Sequence, residues 1–90
     1  MKTIKINKSL IKNRRYKDFI EILQEKLEIL NNNLKNWKYY LEIKKDYFWL
    51  YLKKYNDGII YQSIAFRSDL EIINWINWNI NFYENQKYNF

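Results

Sequence analysis

Apolar residues recur every three or four positions between residues 13 and 34. On a helix of 3.6 residues per turn this spacing forms a single apolar stripe, so it predicts an amphipathic helix. Ser9 or Asn13 suits the N-cap, and the run 31–33 suits the C-terminal end, because Asn tolerates the left-handed conformation. We expect the stripe in the core; its members are Tyr16, Phe19, Ile20, Leu23, Leu27, Leu30 and Leu34.

Beyond this helix the apolar period changes to two, which is typical of strands. The alternation predicts three strands, at residues 37–44, 47–55 and 59–67. The sequence Asn56-Asp57-Gly58 between the last two indicates a hairpin turn, in which Gly58 can adopt a positive φ. Near the N-terminus, residues 2–7 alternate more weakly and predict either a short strand or a basic arm.

A second helix is predicted to follow the third strand. Ser68 and Glu71 have the spacing of a capping box, S-x-x-E, at a helix start. The helix should extend to about Asn81, with an apolar face made of Ile72, Ile73, Trp75, Ile76 and Ile80.

This order of elements predicts an α+β fold: a three-stranded antiparallel meander with two helices on one face. A chain of 90 residues suits one domain. We divide it into a basic arm or short strand at 1–12, a core at 13–81 and an aromatic tail at 82–90 that has no assigned structure.

The alternation also predicts the strand register. A tight first hairpin pairs Ile43 with Phe48, and a three-residue second loop pairs Phe48 with Phe66. One face of the sheet is then apolar apart from Gln62, and a slip of one residue would destroy this pattern. We therefore expect both helices to cover that face.

The opposite face combines large aromatic side chains with cations. Exposed aromatic clusters usually mark a contact surface. Two alternatives stay open: the tail, the first strand or a second copy covers these rings, or cross-strand tyrosine pairs only stabilise the sheet. The candidate partner-binding residues are Lys38, Tyr40, Lys44, Tyr47, Trp49, Tyr51, Lys53, Tyr61 and Arg67.

Composition narrows the chemistry. The chain has no His or Cys and a single Gly, so it lacks an imidazole base, a thiolate nucleophile and a glycine-rich phosphate loop. Glu42 is the one carboxylate on the aromatic face, and its expected role is that of a cross-strand charge partner for a lysine. We therefore expect no enzyme, no cofactor and no metal site.

The net charge is +6. Positive charge concentrates in residues 1–17 and on the strands, whereas the helices carry acidic residues. No apolar run approaches the ~18 residues of a membrane span, and no signal peptide is recognisable. We expect a cytoplasmic protein that does not bind membranes.

The α-β-β-β-α order over about residues 14–81 resembles the double-stranded RNA-binding domain in topology. That family contacts phosphates from the basic start of its second helix. Here the corresponding segment, Ser68-Asp69-Leu70-Glu71, is acidic, and the family's Lys-Lys-x-Ala-Lys motif is missing. The resemblance therefore implies a fold and not a binding mode.

Two function classes remain. Richness in Lys, Asn, Ile and Tyr indicates an AT-rich gene, which suits a small phage or mobile-element inhibitor, anti-CRISPR-like, that occludes a host nucleic-acid-handling complex. Its partner would be a protein or a ribonucleoprotein. The alternative is a module that binds RNA or DNA directly, by stacking bases on the aromatic rings. A homodimer is compatible with either.

Overall fold

A computed structural model of the chain describes residues 4–6, 14–45, 47–54 and 58–86. It confirms the α+β fold, with the helix, the three antiparallel strands and the second helix in the predicted order. The elements are β1 (Ile4–Ile6), α1 (Arg14–Asn32), β2 (Trp37–Ile43), β3 (Phe48–Lys54), β4 (Ile60–Phe66) and α2 (Asp69–Gln86).

The strands form one sheet in the order β1-β2-β3-β4. Strand β1 confirms the short-strand alternative for residues 4–6 and pairs parallel to β2, with Ile4 beside Leu41. Parallel neighbours need a long crossover, and α1 lies within that crossover between β1 and β2. The proposed caps Ser9 and Asn13 lie outside the described residues.

The predicted register is confirmed in both strand pairs except next to the second turn. Ile43 pairs with Phe48, and Phe48 pairs with Phe66. The pairing is irregular only at the start of β4. Gln62 pairs with Leu52 as predicted, but the next pair joins Lys53 to Ile60. An extra residue therefore stands in β4 as a β-bulge.

Both helices pack on the apolar face. From α1, the Phe19 ring meets Phe48 with 6.0 Å between centroids. From α2, the Trp75 ring lies 5.4 Å from Tyr39 and 5.8 Å from Phe66. All seven residues of the predicted α1 stripe belong to this core or pack against it.

Helix α1 ends within the predicted asparagine run. Backbone bonds from Asn33 to Leu30 and from Leu34 to Asn31 tighten its last turn. The left-handed residue, however, is Asn36, with φ of 65°. The Asn run thus ends the helix by local hydrogen bonding, and the reversal into β2 comes at Asn36.

Helix α2 starts with the predicted cap and runs farther than predicted. The Ser68 Oγ accepts a hydrogen bond from the Glu71 N–H at 3.2 Å, while the Glu71 carboxylate accepts one from the Arg67 N–H at 3.3 Å. Residues 82–86, placed in the tail by sequence, are helical because Tyr83 packs against the core and Glu84 bonds Asn33 at 3.1 Å. Residues 87–90 lie outside the described part.

Among the described residues, no helix is long and apolar enough to cross a membrane.

Candidate functional site

Strand alternation separates two faces of the sheet. In β2, Tyr39, Leu41 and Ile43 are buried toward the helices, while Tyr40 and Glu42 between them are only half-buried. We call the side opposite the helices the outer face. Its described residues are Lys38, Tyr40, Glu42, Lys44, Tyr47, Trp49, Tyr51, Lys53, Ile60, Ser63, Ala65 and Arg67.

An aromatic row runs along β3 on the outer face. The Tyr47 and Trp49 rings lie 5.7 Å apart at 56°, and the Trp49 and Tyr51 rings lie 5.9 Å apart at 60°. These tilted contacts follow from the i, i+2 spacing, which puts the three side chains on the same side of the strand. Tyr40 lies beside Tyr51 on the neighbouring strand, as the register predicted.

Lysine ammonium groups lie over these rings. Lys53 Nζ is 5.3 Å from the centre of the Tyr40 ring and 5.9 Å from that of Tyr51. Lys44 Nζ is 5.9 Å from Tyr47 and 5.8 Å from Trp49. In each such contact the ammonium charge is attracted to the electron-rich face of the ring. The rings and cations thus form one interleaved surface.

A third lysine, Lys38, extends this arrangement to the start of β2. Lys38 Nζ lies 5.6 Å from the centre of the Tyr40 ring, so Tyr40 has a lysine on each of two strands nearby. Arg67, directly after β4, is exposed.

Glu42 pairs with a lysine from the end of its own strand, Lys44, and not across strands as expected. Its carboxylate lies 3.2 Å from Lys44 Nζ. This hydrogen bond, with the attraction of the carboxylate, raises the pKa of Lys44. Partial burial raises the pKa of Tyr51, and the nearby Glu42 adds to the effect. The Tyr51 phenol is therefore neutral at physiological pH, and the face is cationic.

Tyr61 does not belong to this group, so the prediction that placed it on the outer face is wrong. It is the extra residue of the β4 bulge, and a bulge re-aims the side chain that it contains. Its ring lies 4.8 Å from that of Trp37. Trp37 lies two residues before buried Tyr39 and therefore on the same, helix-facing side of the sheet. Tyr61 is 73% exposed and stands at the margin of that side.

The outer-face rings are half-exposed, and their described ring and cation contacts come from residues of the same face. Of the segments that the sequence suggested as covers, β1 lies beside β2 in the sheet, and residues 82–86 continue α2 on the other side. Within the described residues, the outer face is thus open to a partner.

Sequence reasoning missed a second exposed aromatic pair. Trp78, 67% exposed, stacks on Phe82 with 5.7 Å between ring centroids and an angle of 10°. The signal was their i, i+4 spacing, but it required α2 to continue past the predicted end.

The described residues contain no group of three or more acidic side chains placed to hold a metal ion. What the outer face offers chemically is stacking, cation–π contact and charge attraction toward an anionic partner.

Comparison with known proteins adds no relative: no family model matches the chain, and neither a curated protein nor a solved structure matches it significantly.

Proposed function

We propose that this is a non-catalytic binding protein that docks through its outer face onto an acidic protein surface of a nucleic-acid-handling complex and occludes it. The observation that carries the proposal is the set of lysines lying over half-exposed rings, described above for Lys44 and Lys53. Tyr and Trp in a partly desolvated, cation-rimmed patch are the residue types that dominate protein–protein hot spots.

The lysine positions favour a protein partner over a nucleic acid. A base that stacks on Tyr40 or Tyr51 needs an open ring face, and Lys53 lies over both rings. Stacking would therefore displace that ammonium group. An acidic protein surface can instead pair with Lys53 where it lies and contact the ring edges around it.

Direct binding of single-stranded or structured RNA or DNA is the second candidate, because cations outnumber acidic groups on the outer face. This face has a single carboxylate, Glu42, which is already paired with Lys44, and four cations: Lys38, Lys44, Lys53 and Arg67. Such a surface attracts phosphates, and released counterions make this attraction steeply salt-dependent.

The biological setting that we propose is inhibition of a host complex by a phage or mobile element, in the manner of anti-CRISPR proteins, in the cytoplasm. The AT-rich composition and the small, basic, single-domain chain support this setting. The acidic start of α2 also supports it over the RNA-binding mode of the double-stranded RNA-binding domain, since Glu71 is engaged in the helix cap.

Affinity capture from lysate of the native host, with and without nuclease, tests the proposal. We expect one stoichiometric protein partner that survives nuclease treatment. In parallel, a labelled single-stranded oligonucleotide titrated at about 50 and 200 mM salt tests the second candidate. Tight oligonucleotide binding that collapses at the higher salt, with no nuclease-resistant protein captured, would favour direct nucleic-acid binding. Failure of both measurements would contradict a docking role for the outer face.

A further inference from the structure

Within the part of the chain that the structure describes, strand β4 is a free edge of the sheet, and its residues are unusual for an edge. It is the last strand in the order, and its seven residues, Ile60–Phe66, carry no charge, no Pro and no Gly. Most of its residues are exposed. Natural proteins usually protect such an edge with lysines, prolines or a covering segment, because its unpaired backbone groups can bind another strand.

The alternation of hydrogen-bonded and non-bonded pairs shows which backbone groups of β4 point away from the sheet. The Lys44 N–H donates to the Tyr47 carbonyl at 3.0 Å, so these residues form a hydrogen-bonded pair. Antiparallel strands alternate such pairs with non-bonded ones, and so Phe48, Leu50 and Leu52 direct their backbone groups toward β4.

Their partners Phe66, Ile64 and Gln62 therefore use their own N–H and C=O groups on β3. Ser63 and Ala65, between them, direct theirs away from the sheet. No hydrogen bond from any other described residue reaches these outward groups.

The opposite edge of the sheet, by contrast, is protected. Where β2 extends past the short β1, the side chain of Asn31 occupies its edge at Tyr39 with hydrogen bonds of 2.8 and 3.0 Å. The exposed edge of β2 is thus capped by a side chain. On β4, the bulge at Tyr61 is the only interruption of the edge among the described residues.

We propose that β4 pairs antiparallel with β4 of a second copy of this chain, about a two-fold axis at Ile64. Ser63 of each copy then lies opposite Ala65 of the other. The outward N–H and C=O groups of these two residues form hydrogen bonds with those of the second copy. Ile64 faces Ile64 of the second copy in the intervening non-bonded pair.

Several observations favour a second copy as the occupant. About a two-fold axis, an edge strand pairs antiparallel with the same strand of the second copy. Because β4 is uncharged, this pairing brings no like charges together. Ser63 and Ala65 are small, so backbones can approach.

The pairing joins two four-stranded sheets into one of eight strands and sets the two outer faces side by side. The proposal does not rest on the proposed function, because it depends on the backbone edge and not on the aromatic row.

The mass of the protein in solution tests the pairing. Light scattering across a concentration series up to the millimolar range should approach twice the 11.4 kDa chain mass. Ala65→Pro removes one outward N–H and leaves the ladder to β3 intact, so it should give a folded monomer by circular dichroism. Ala65→Ser keeps the N–H and should dimerise as the wild type does. A monomeric wild type, or a dimer that Ala65→Pro leaves unchanged, would overturn the proposal.

Disulfide trapping tests the register, since the chain contains no cysteine. Only position 64 faces itself across the axis, at the close Cα spacing of about 4.5 Å that a non-bonded pair provides. Ile64→Cys should therefore form a covalent dimer under mild oxidation. Ser63→Cys, the control, should crosslink much less because it faces Ala65. Equal crosslinking of the two variants would contradict the axis at Ile64.

Discussion

The side-chain amide of Asn31 makes two hydrogen bonds to the backbone of Tyr39, one in each direction. Its Nδ2 donates to the Tyr39 carbonyl at 3.0 Å, and its Oδ1 accepts from the Tyr39 N–H at 2.8 Å. The amide thus takes the place of a strand residue beside β2 and fastens the end of α1 to the sheet. Without these bonds the partly buried N–H and C=O groups of Tyr39 would be unsatisfied, and the folded state would be less stable.

Asn31→Ala should therefore lower the free energy of unfolding by about 1–3 kcal/mol, the usual cost of unsatisfied partly buried groups. Urea denaturation measures the change. Asn32→Ala is the matched control, because Asn32 belongs to the same helix turn but is exposed, and its effect should be small. Equal losses in the two variants would show that helix termination, and not the bond to Tyr39, explains the effect.

Much of this fold is encoded locally and could be predicted. The 3.6-residue period placed Leu23, Leu27 and Leu30 in the core, where all three are fully buried. The period of two fixed the pairing of Phe48 with Ile43, because a slip would expose the apolar face.

The features that sequence missed depend on contacts between distant residues. The alternation through β4 is interrupted in the sequence only by Gln62 on the apolar face, and nothing marked the neighbouring Tyr61 as an inserted residue. Nothing local indicated that Asn31 would bond Tyr39, or that contacts with Asn33 and the core would extend α2 past Asn81. The outer face kept its predicted members other than Tyr61, while their role in binding stays a prediction.

A left-handed residue at Gly58 gives a second prediction. Its φ is +65°, and a Cβ added there would meet no atom within 4 Å. Gly58→Ala should thus cost only the backbone strain, about 1–2 kcal/mol of unfolding free energy. Gly58→Asn should cost clearly less, since Asn tolerates this conformation. Thermal and urea unfolding of both variants would show this order; equal costs would contradict a purely conformational effect.

Stability should fall at alkaline pH. Burial, with a contribution from nearby Tyr83, raises the pKa of Tyr39 above its ordinary value of 10.0. The folded state therefore holds the neutral phenol more strongly than the unfolded chain does. Its contribution is complete below pH 10 and is lost as the pH rises through the folded-state pKa.

Urea denaturation at about pH 8 and about pH 11 measures this loss. Tyr39→Phe should lose less stability over that interval than the wild type, because the variant has no phenol to ionise at this position. Tyr61→Phe, at an exposed site, serves as the control and should behave as the wild type does. An unchanged alkaline loss in Tyr39→Phe would contradict the role of Tyr39.

The proposed docking surface predicts that Trp49 contributes to binding more than to folding. Trp49 is half-exposed in the middle of the aromatic row, between Tyr47 and Tyr51. Trp78→Ala is a matched control, because it removes the same side chain from α2, away from the outer face.

The decisive measurement is the affinity of Trp49→Ala for the captured partner, made alongside its free energy of unfolding. We expect binding to weaken by about tenfold or more, as for a hot-spot tryptophan, while the variant stays folded and Trp78→Ala binds normally. A folded Trp49→Ala that binds as tightly as the wild type, or a variant that unfolds, would contradict the assignment of the outer face as the docking surface.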